Sequence, residues 1–182
     1  LRNGRSAFHT ACFYGDISTV RQIVDEAKPC GGAAVTILNS LCQDSGWSPL
    51  HYAVLSGSLQ VMETLLANGG DPKTLTKDTY TWRTQNGKGL TARNLIEAIG
   101  SGNDKKDIGT HGMALSEATH QLFSNSSEGR RCLALLNGML GRLKDVESNG
   151  YSPLDDAQIA EEEKIAERRL LKQESLESED TT

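Results

Sequence analysis

One pattern of residues, which recurs along the chain, limits the folds that this sequence can adopt. Within residues 46–72, the pair Ser48 and Pro49 predicts a helix start, because a serine oxygen caps free N–H groups and proline fits the first helical position. Gly57 predicts the end of that helix, and a second helix is predicted between it and the turn-forming residues 68–72. Two helices this short are marginal in water by themselves, so they need similar neighbours on both sides.

Similar neighbours are present in the sequence. Residues 4–24 repeat the layout, residues 89–95 keep the glycine and the capping threonine, and residues 150–157 return to the same GxSPL start. The glycines that open these copies stand at positions 4, 46, 89 and 150, which are 42, 43 and 61 residues apart. Such self-similarity predicts a stacked solenoid, and the long, unequal spacing predicts insertions between its units.

The second copy carries the signature of a known family. The letters SPLHYA at residues 48–53 resemble the TPLHxA core of ankyrin repeats, and LLANGGD at residues 65–71 resembles their LLxxGAD tail. The resemblance implies an all-α, ankyrin-type helical solenoid of about four helix-pair repeats with β-hairpin fingers, one of them lengthened. We expect a domain over residues 1–172 and an acidic tail over residues 173–182. Its repeats are expected near residues 3–28, 46–72, 89–143 with an insertion, and 150–172.

The resemblance also implies a function. Ankyrin arrays present a concave recognition surface, so the chain is expected to be a non-catalytic protein–protein interaction module, a scaffold or an adaptor. An alternative is a regulatory or substrate-recruiting domain of a larger enzyme, such as a ligase or a transferase. The chain begins with Leu1 rather than Met, so we expect it to be part of a longer protein. The partner is then either a separate protein or another domain of the same full-length chain.

Composition narrows the choice of partner. Asp and Glu number 24 against 19 Lys and Arg, which gives a net charge of −5 without a basic stripe. Nucleic-acid binding is disfavoured, because neutralising phosphates requires clustered positive charge.

No apolar run approaches the length that spans a membrane. Only 37% of the residues are hydrophobic and 5% aromatic, which suits an elongated array of small residues better than a compact enzyme.

Nothing in the sequence requires catalysis, a cofactor or a metal. His9 and His51 both stand at the histidine of the TPLH signature, and the resemblance implies a structural role in which they bond to the backbone of the neighbouring loop. The four cysteines lack CxxC spacing, and Cys12 is interpreted as a buried core thiol. A weaker alternative is an intrinsic enzyme that uses Cys30 or Cys132 as a nucleophile. Reduced cysteines favour an intracellular location, cytoplasmic rather than nuclear.

The insertions carry predictions of their own. Residues 29–43 are expected to include an extra turn or a short helix, which either covers the outside of the first helix pair or takes part in binding. Residues 74–84, rich in threonine and aromatic residues, predict strands of a lengthened finger. Residues 101–128 read as a polar loop, and residues 132–143 as the second helix of the third repeat. The fourth repeat lacks its middle glycine, so its helix is expected to continue without a break.

In an ankyrin-like array, the residues next to the repeat glycines and in the fingers are those that face a partner. The apolar members of this set in the first three repeats are expected to form an exposed strip, unless the insertions fold back over it. The two finger aromatics either pack on neighbouring helices or project as anchors. The predicted partner-binding residues are Arg5, Phe13, Tyr14, Trp47, Leu55, Tyr80, Trp82, Leu90, Ile99 and Tyr151.

Overall fold

The computed structural model describes residues 5–43, 45–77, 89–101, 127–155, 157–165 and 168; within the helices, the side chains at 98–101, 127–135 and 137 lie outside the description. Helices make up the regular structure of these residues, and none of them belongs to a strand. The all-α fold is therefore confirmed. Among the described helices, none combines the length and apolar character that a membrane crossing requires. The predicted acidic tail at 173–182 lies outside the described residues.

The first repeat is a pair of short helices, α1 (Ala7–Tyr14) and α2 (Ile17–Ala27). The side chain of Ser6 caps α1 by accepting a hydrogen bond from the backbone. Helix α1 ends at Gly15, whose φ of 67° lies in the left-handed region that suits glycine. The next residue, Asp16, caps α2 with its carboxylate. Two residues therefore reverse the chain between the helices.

A short insertion follows the first repeat. It consists of a 3-10 turn (Lys28–Cys30) and helix α3 (Gly32–Leu38). Helix α3 packs against α2, and Leu38 at its C-terminal end is buried. The short helix predicted within residues 29–43 is therefore confirmed.

The second repeat reproduces the first. Helices α4 (Pro49–Ser56) and α5 (Leu59–Ala67) are separated by Gly57, whose φ is again 67°. Ser48 stands at the N-cap of α4, directly before the proline at its first position. Helix α4 packs against α1, and α5 packs against α2. The helix boundaries predicted for residues 46–72 are confirmed.

The third repeat consists of α6 (Ala92–Ser101) and α7 (Ser127–Asn149). Helix α6 packs against α4 and α7 packs against α6. We call α1, α4 and α6 the inner row, and α2, α5 and α7 the outer row. At 23 residues, α7 is longer than the predicted helix at 132–143, and it begins inside the predicted loop at 101–128. The prediction stopped too early, because the buried positions of this helix continue past Leu143 to Val146. Residues 102–126 lie outside the described part.

The predicted fourth repeat departs from the second although both begin with the letters GxSPL. Residues 150–155 are not helical, and the described helix covers residues 157–165. The helix of this copy therefore begins later than the helix that follows Ser48 in the second copy. Asp155 caps the helix instead, since its Oδ1 accepts from the backbone N–H of Gln158 at 2.7 Å. The helix is continuous through position 161, in agreement with the missing middle glycine, and it buries Ile159 in the core.

The base of the long finger between the second and third repeats is described. The backbone N–H of Thr76 donates to the carbonyl of Leu90 at 3.0 Å, and the N–H of Leu90 donates to Oγ1 of Thr76 at 2.9 Å. A Cβ atom on Gly89 would lie 1.9 Å from the carbonyl oxygen of Thr76, so only glycine fits there. The finger itself, residues 78–88, lies outside the described residues, and its hairpin stays a prediction.

Candidate functional site

His51 is a structural bridge between the second and third repeats. Its Nε2 lies 2.8 Å from the carbonyl oxygen of Leu90, and its Nδ1 lies 2.7 Å from Oγ of Ser48. A carbonyl only accepts, so Nε2 carries the proton and the neutral ring accepts at Nδ1. Burial lowers the pKa of His51 to about 4, which keeps the ring neutral at physiological pH. The predicted bond from this histidine to the neighbouring loop is confirmed.

His9 forms the same bridge one repeat earlier. Its Nε2 lies 2.9 Å from the carbonyl oxygen of Ser40, and its Nδ1 lies 2.7 Å from Oγ of Ser6. Burial also lowers the pKa of His9. In both imidazoles Nε2 bonds to the neighbouring loop and Nδ1 to the capping serine of the same helix, which leaves neither ring nitrogen available as a general base.

The two buried thiols lack the features of a nucleophile. Cys12 and Cys42 are buried, and burial raises the pKa of Cys12 to about 12, so its thiolate is not formed at neutral pH. Cys12 is thus the core thiol that was predicted. Cys30 is exposed, whereas the side chain of Cys132 lies outside the described residues. Within the described part of the chain, no group of His, Cys, Asp and Glu could hold a metal ion.

Several of the predicted partner-binding residues meet at the N-terminal end of the inner row. The guanidinium carbon of Arg5 lies 4.8 Å from the ring centre of Phe13 and 5.0 Å from that of Tyr52. The ring of Phe13 meets the rings of Tyr14 and Tyr52 edge-on, at 5.1 and 6.1 Å. Tyr14 is 75% exposed, whereas Tyr52 is buried against Arg5 and Phe13. The guanidinium of Arg5 and the rings of Phe13 and Tyr14 therefore reach the surface above the buried ring of Tyr52.

Tyr52 is held in place by its own partners. Its hydroxyl lies 2.5 Å from Oγ of Ser45, and its ring lies 5.5 Å from that of Trp47. Leu55, which occupies in α4 the position that Phe13 occupies in α1, is half-buried against the core. We call Arg5, Phe13, Tyr14 and Leu55 the N-terminal platform. Arg5 and Phe13 rest on the buried ring of Tyr52, and Tyr14 packs on Phe13.

Two predicted members of the exposed strip are in the core. Trp47 is only 8% exposed and Leu90 only 2%, so the expectation that they face solvent is wrong. Trp47 is turned inward, and its ring packs at 5.5 Å from Tyr52 and 6.4 Å from His51. Leu90 is held by the backbone bonds to Thr76 and His51, which direct this segment into the stack. The position after the repeat glycine is therefore a buried position in these two repeats.

The remaining predicted residues do not extend the platform. The side chain of Ile99 and all of Tyr80 and Trp82 lie outside the described residues. Tyr151 is half-buried beside the outer row, where its hydroxyl donates to Oε2 of Glu63 at 3.3 Å. The strip predicted along three repeats is thus described only at its N-terminal end.

A buried ion pair, which sequence analysis missed, joins the outer row. Glu63 of α5 accepts two hydrogen bonds from Arg142 of α7, at 2.7 Å from Nε and 3.2 Å from Nη2. Arg142 also donates to the carbonyl oxygen of Ser152 and stands over the ring of Tyr151 at 5.4 Å. These bonds raise the pKa of Arg142, and burial raises that of Tyr151. The only sequence signal is a glutamate within an otherwise apolar helix face.

Comparison with protein families agrees with this geometry. A family model described as ankyrin repeats (3 copies) matches residues 1–76, which contain α1 to α5. Residues 1–76 therefore carry ankyrin repeats, and ankyrin repeats are in general protein–protein interaction modules. The predicted repeats at 89–143 and 150–172 lie outside the match. Comparison with curated proteins and with solved structures gave no match.

Proposed function

We propose that this chain is a non-catalytic scaffold or adaptor that binds a protein partner at the N-terminal platform. The observation that carries the proposal is Tyr14, which is 75% exposed at the edge of a packed group of rings. Large aromatic side chains that stand in water on a rigid base are the usual anchors of protein interfaces, each contributing about 2 kcal/mol when buried.

The base of the platform favours binding because it is already ordered. Phe13 and Arg5 rest on Tyr52, whose hydroxyl is bonded to Ser45 and whose ring meets Trp47. Side chains fixed in this way lose little conformational entropy when a partner covers them. The platform thus acts by presenting a preformed surface.

The charge of Arg5 indicates the chemistry of the partner. In the described part of the chain, no carboxylate lies within ion-pair distance of this guanidinium. A guanidinium held over two rings presents its outer N–H groups as a planar fork, which suits a carboxylate. We therefore expect a partner segment in which an acidic side chain stands next to an apolar one.

The bridging histidines support the absence of catalysis, because both imidazoles are neutral and bonded on both sides. We also propose an intracellular, cytoplasmic location. The support for it is the set of free thiols at Cys12, Cys30 and Cys42 among the described residues, which suits a reducing compartment.

The test compares two single variants as baits. Tyr14→Ala removes the exposed anchor, and Val35→Ala removes a side chain that is 48% exposed on α3, away from the platform. Partners captured by crosslinking are identified, purified and titrated calorimetrically against each bait, with folding checked by circular dichroism. We expect Tyr14→Ala to weaken binding about 30-fold and Val35→Ala to leave it unchanged.

The opposite ranking, with Val35→Ala weakening the interaction and Tyr14→Ala leaving it intact, overturns the platform as the site. Capture of no separate protein by the wild-type chain contradicts the scaffold proposal. That result favours docking on another domain of the same full-length chain.

A further inference from the structure

The letters GxSPL occur twice in the chain, and the structure gives the two copies different surroundings. They contain the two Ser-Pro pairs of the sequence, Ser48 with Pro49 and Ser152 with Pro153. Ser48 is fully buried, and its Oγ lies 2.7 Å from Nδ1 of His51. The first serine hydroxyl is therefore enclosed in a helix cap, where another protein reaches it only if α4 opens.

The second Ser-Pro pair lies at the surface. Residues 150–155 are not helical, and both Ser152 and Pro153 are exposed. On either side of the pair, Tyr151 and Leu154 are half-buried and pack against the core. A residue that precedes proline also favours an extended conformation. The fold thus presents an accessible Ser-Pro pair in a non-helical segment whose flanking residues are held.

A shared positive charge lies directly beside Ser152. The carbonyl oxygen of Ser152 accepts a hydrogen bond from Nη2 of Arg142. The same guanidinium holds Glu63 at 2.7 and 3.2 Å, and its Nη1 donates to Asp145 at 3.2 Å. The side chains of Arg142 and Glu63 are only 10% and 5% exposed, so water and salt screen their contact little. Two carboxylates therefore already compete for one cation at this place.

We propose that Ser152 is a phosphorylation site for a proline-directed protein kinase, and that its phosphate weakens the ion pair between Glu63 and Arg142. In the reaction, Oγ of Ser152 bonds to the terminal phosphorus of ATP while the bond from that phosphorus to the bridging oxygen breaks. ADP leaves, and the hydroxyl proton passes to a base of the kinase. The site lies beside the outer row and does not depend on the function proposed for the N-terminal platform.

The effect of the phosphate follows from its charge. A phosphoserine carries about −1.5 to −2 charges at pH 7 and three strong acceptor oxygens. Because Ser152 already contacts Arg142 through its backbone, these oxygens compete with Glu63 and Asp145 for the Nη groups. The added charge also repels both carboxylates. Glu63 therefore loses part of its partner in a buried position, which lowers the stability of the folded chain.

The first experiment compares the two Ser-Pro pairs in the same molecule. The full 182-residue chain is incubated with ATP and a purified mitogen-activated protein kinase, a proline-directed enzyme, and the phosphate is located by mass spectrometry. Peptides GWSPLHYAV (residues 46–54) and GYSPLDDAQ (residues 150–158) give the rates without a fold. Relative to its peptide, we expect Ser152 in the folded chain to react at least about tenfold faster than Ser48, because only Ser48 requires opening. Pro153→Ala keeps the hydroxyl and is expected to abolish the reaction at Ser152.

The second experiment measures what the phosphate does. We expect the phosphorylated chain to unfold at a Tm about 3 °C lower than the unphosphorylated chain. The double variant Glu63→Leu with Arg142→Leu lacks the ion pair, so its Tm is expected to shift by less than about 1 °C on phosphorylation. Ser152→Ala, treated with the same kinase, controls for phosphate elsewhere and is expected to keep its Tm.

Three results would overturn the proposal. One is a folded chain in which Ser48 reacts as fast as Ser152, relative to their peptides. Another is a folded chain in which Ser152 takes up no phosphate. The third is a phosphorylated chain whose Tm is unchanged or raised, since Arg142 then binds the phosphate without giving up Glu63.

Discussion

The junction between the first and second repeats differs from the junction between the second and third. Both contain a neutral histidine that bonds to a carbonyl of the next loop. The first junction is covered by α3 and has no buried ion pair among its described residues. At the second junction no comparable helix of the described chain is inserted, and Glu63 and Arg142 join its two sides. Both junctions thus share the histidine-to-carbonyl bond but are stabilised differently beyond it. An inserted helix packs at the first junction, and a buried ion pair joins the second.

The largest expected effect is at the ion pair of the second junction. Glu63→Ala leaves the guanidinium of Arg142 buried without its main partner, which we expect to lower the free energy of unfolding by about 3 to 5 kcal/mol in urea titrations. The double variant Glu63→Leu with Arg142→Leu removes both charges and is expected to recover much of that loss. If Glu63→Ala costs no more than an exposed ion pair, the second junction does not depend on this contact.

The next largest effect is a pH dependence of the free energy of unfolding. We expect the second junction, through His51, to contribute more to it than the first. The pKa of His51 is about 4 in the folded chain, below its ordinary value of 6.5. The unfolded chain therefore takes up a proton near pH 6.5 that the folded chain does not accept until about pH 4. Stability is expected to fall as pH drops through this window, by about 3 kcal/mol in total from His51.

Thermal unfolding from pH 7 to pH 4 measures this loss. His51→Gln is expected to flatten the dependence. His9→Gln is expected to remove a smaller part, because the bond of His9 to Ser40 is only partly buried. An unchanged slope in His51→Gln contradicts the assignment of the pH dependence to this bridge.

A smaller effect is expected at the first junction. Asn39→Ala removes the two bonds to Gly69 and Asp71 that anchor α3, and we expect it to cost about 1 kcal/mol because the site is open to water. Faster amide hydrogen exchange in residues 32–38 measures the loosening of α3. Exchange rates that match those of the wild type would show that packing against α2 alone holds the helix.

The smallest effect concerns an ion pair that lies outside both junctions. Lys28 and Asp25 form a 2.6 Å contact in which both side chains are mostly exposed. Lys28→Ala is expected to change the free energy of unfolding by less than about 0.5 kcal/mol. This variant is the matched control for Glu63→Ala, since the two differ mainly in burial. A loss comparable to that of Glu63→Ala would remove burial as the explanation.

The parts of the fold that local chemistry determines were predictable. Ser48 with Pro49 marks a helix start and Gly57 a helix end, because capping and left-handed geometry depend on a few adjacent residues. The end of α7 differs from the prediction, since its apolar period continues smoothly and no breaker stands between Leu143 and Gly150. After the second GxSPL the helix begins later than after the first, and there the carbonyl of Ser152 accepts a hydrogen bond from Arg142.

The candidate site was predictable only in part. The positions of Phe13 and Tyr14 before a mid-repeat glycine were enough to place them at the surface. Trp47 and Leu90 were misplaced, because the direction of a loop side chain depends on bonds to residues far away in sequence, such as Thr76. The pair of Glu63 and Arg142 spans 79 positions, and neither residue carries a local signal of the other.

The reactivity of the buried Cys12 thiol can report how often the first repeat opens. The side chain is fully buried beneath the inner helices, and its pKa of about 12 suppresses reaction even with small reagents. Alkylation therefore requires α1 to separate from its neighbours, so the rate of labelling measures how often the N-terminal end of the stack opens. Cys30 is exposed in the same molecule and reacts without such opening, so its labelling rate is the internal reference. The ratio of the two rates converts a static packing feature into a kinetic measure of how firmly the first repeat is held.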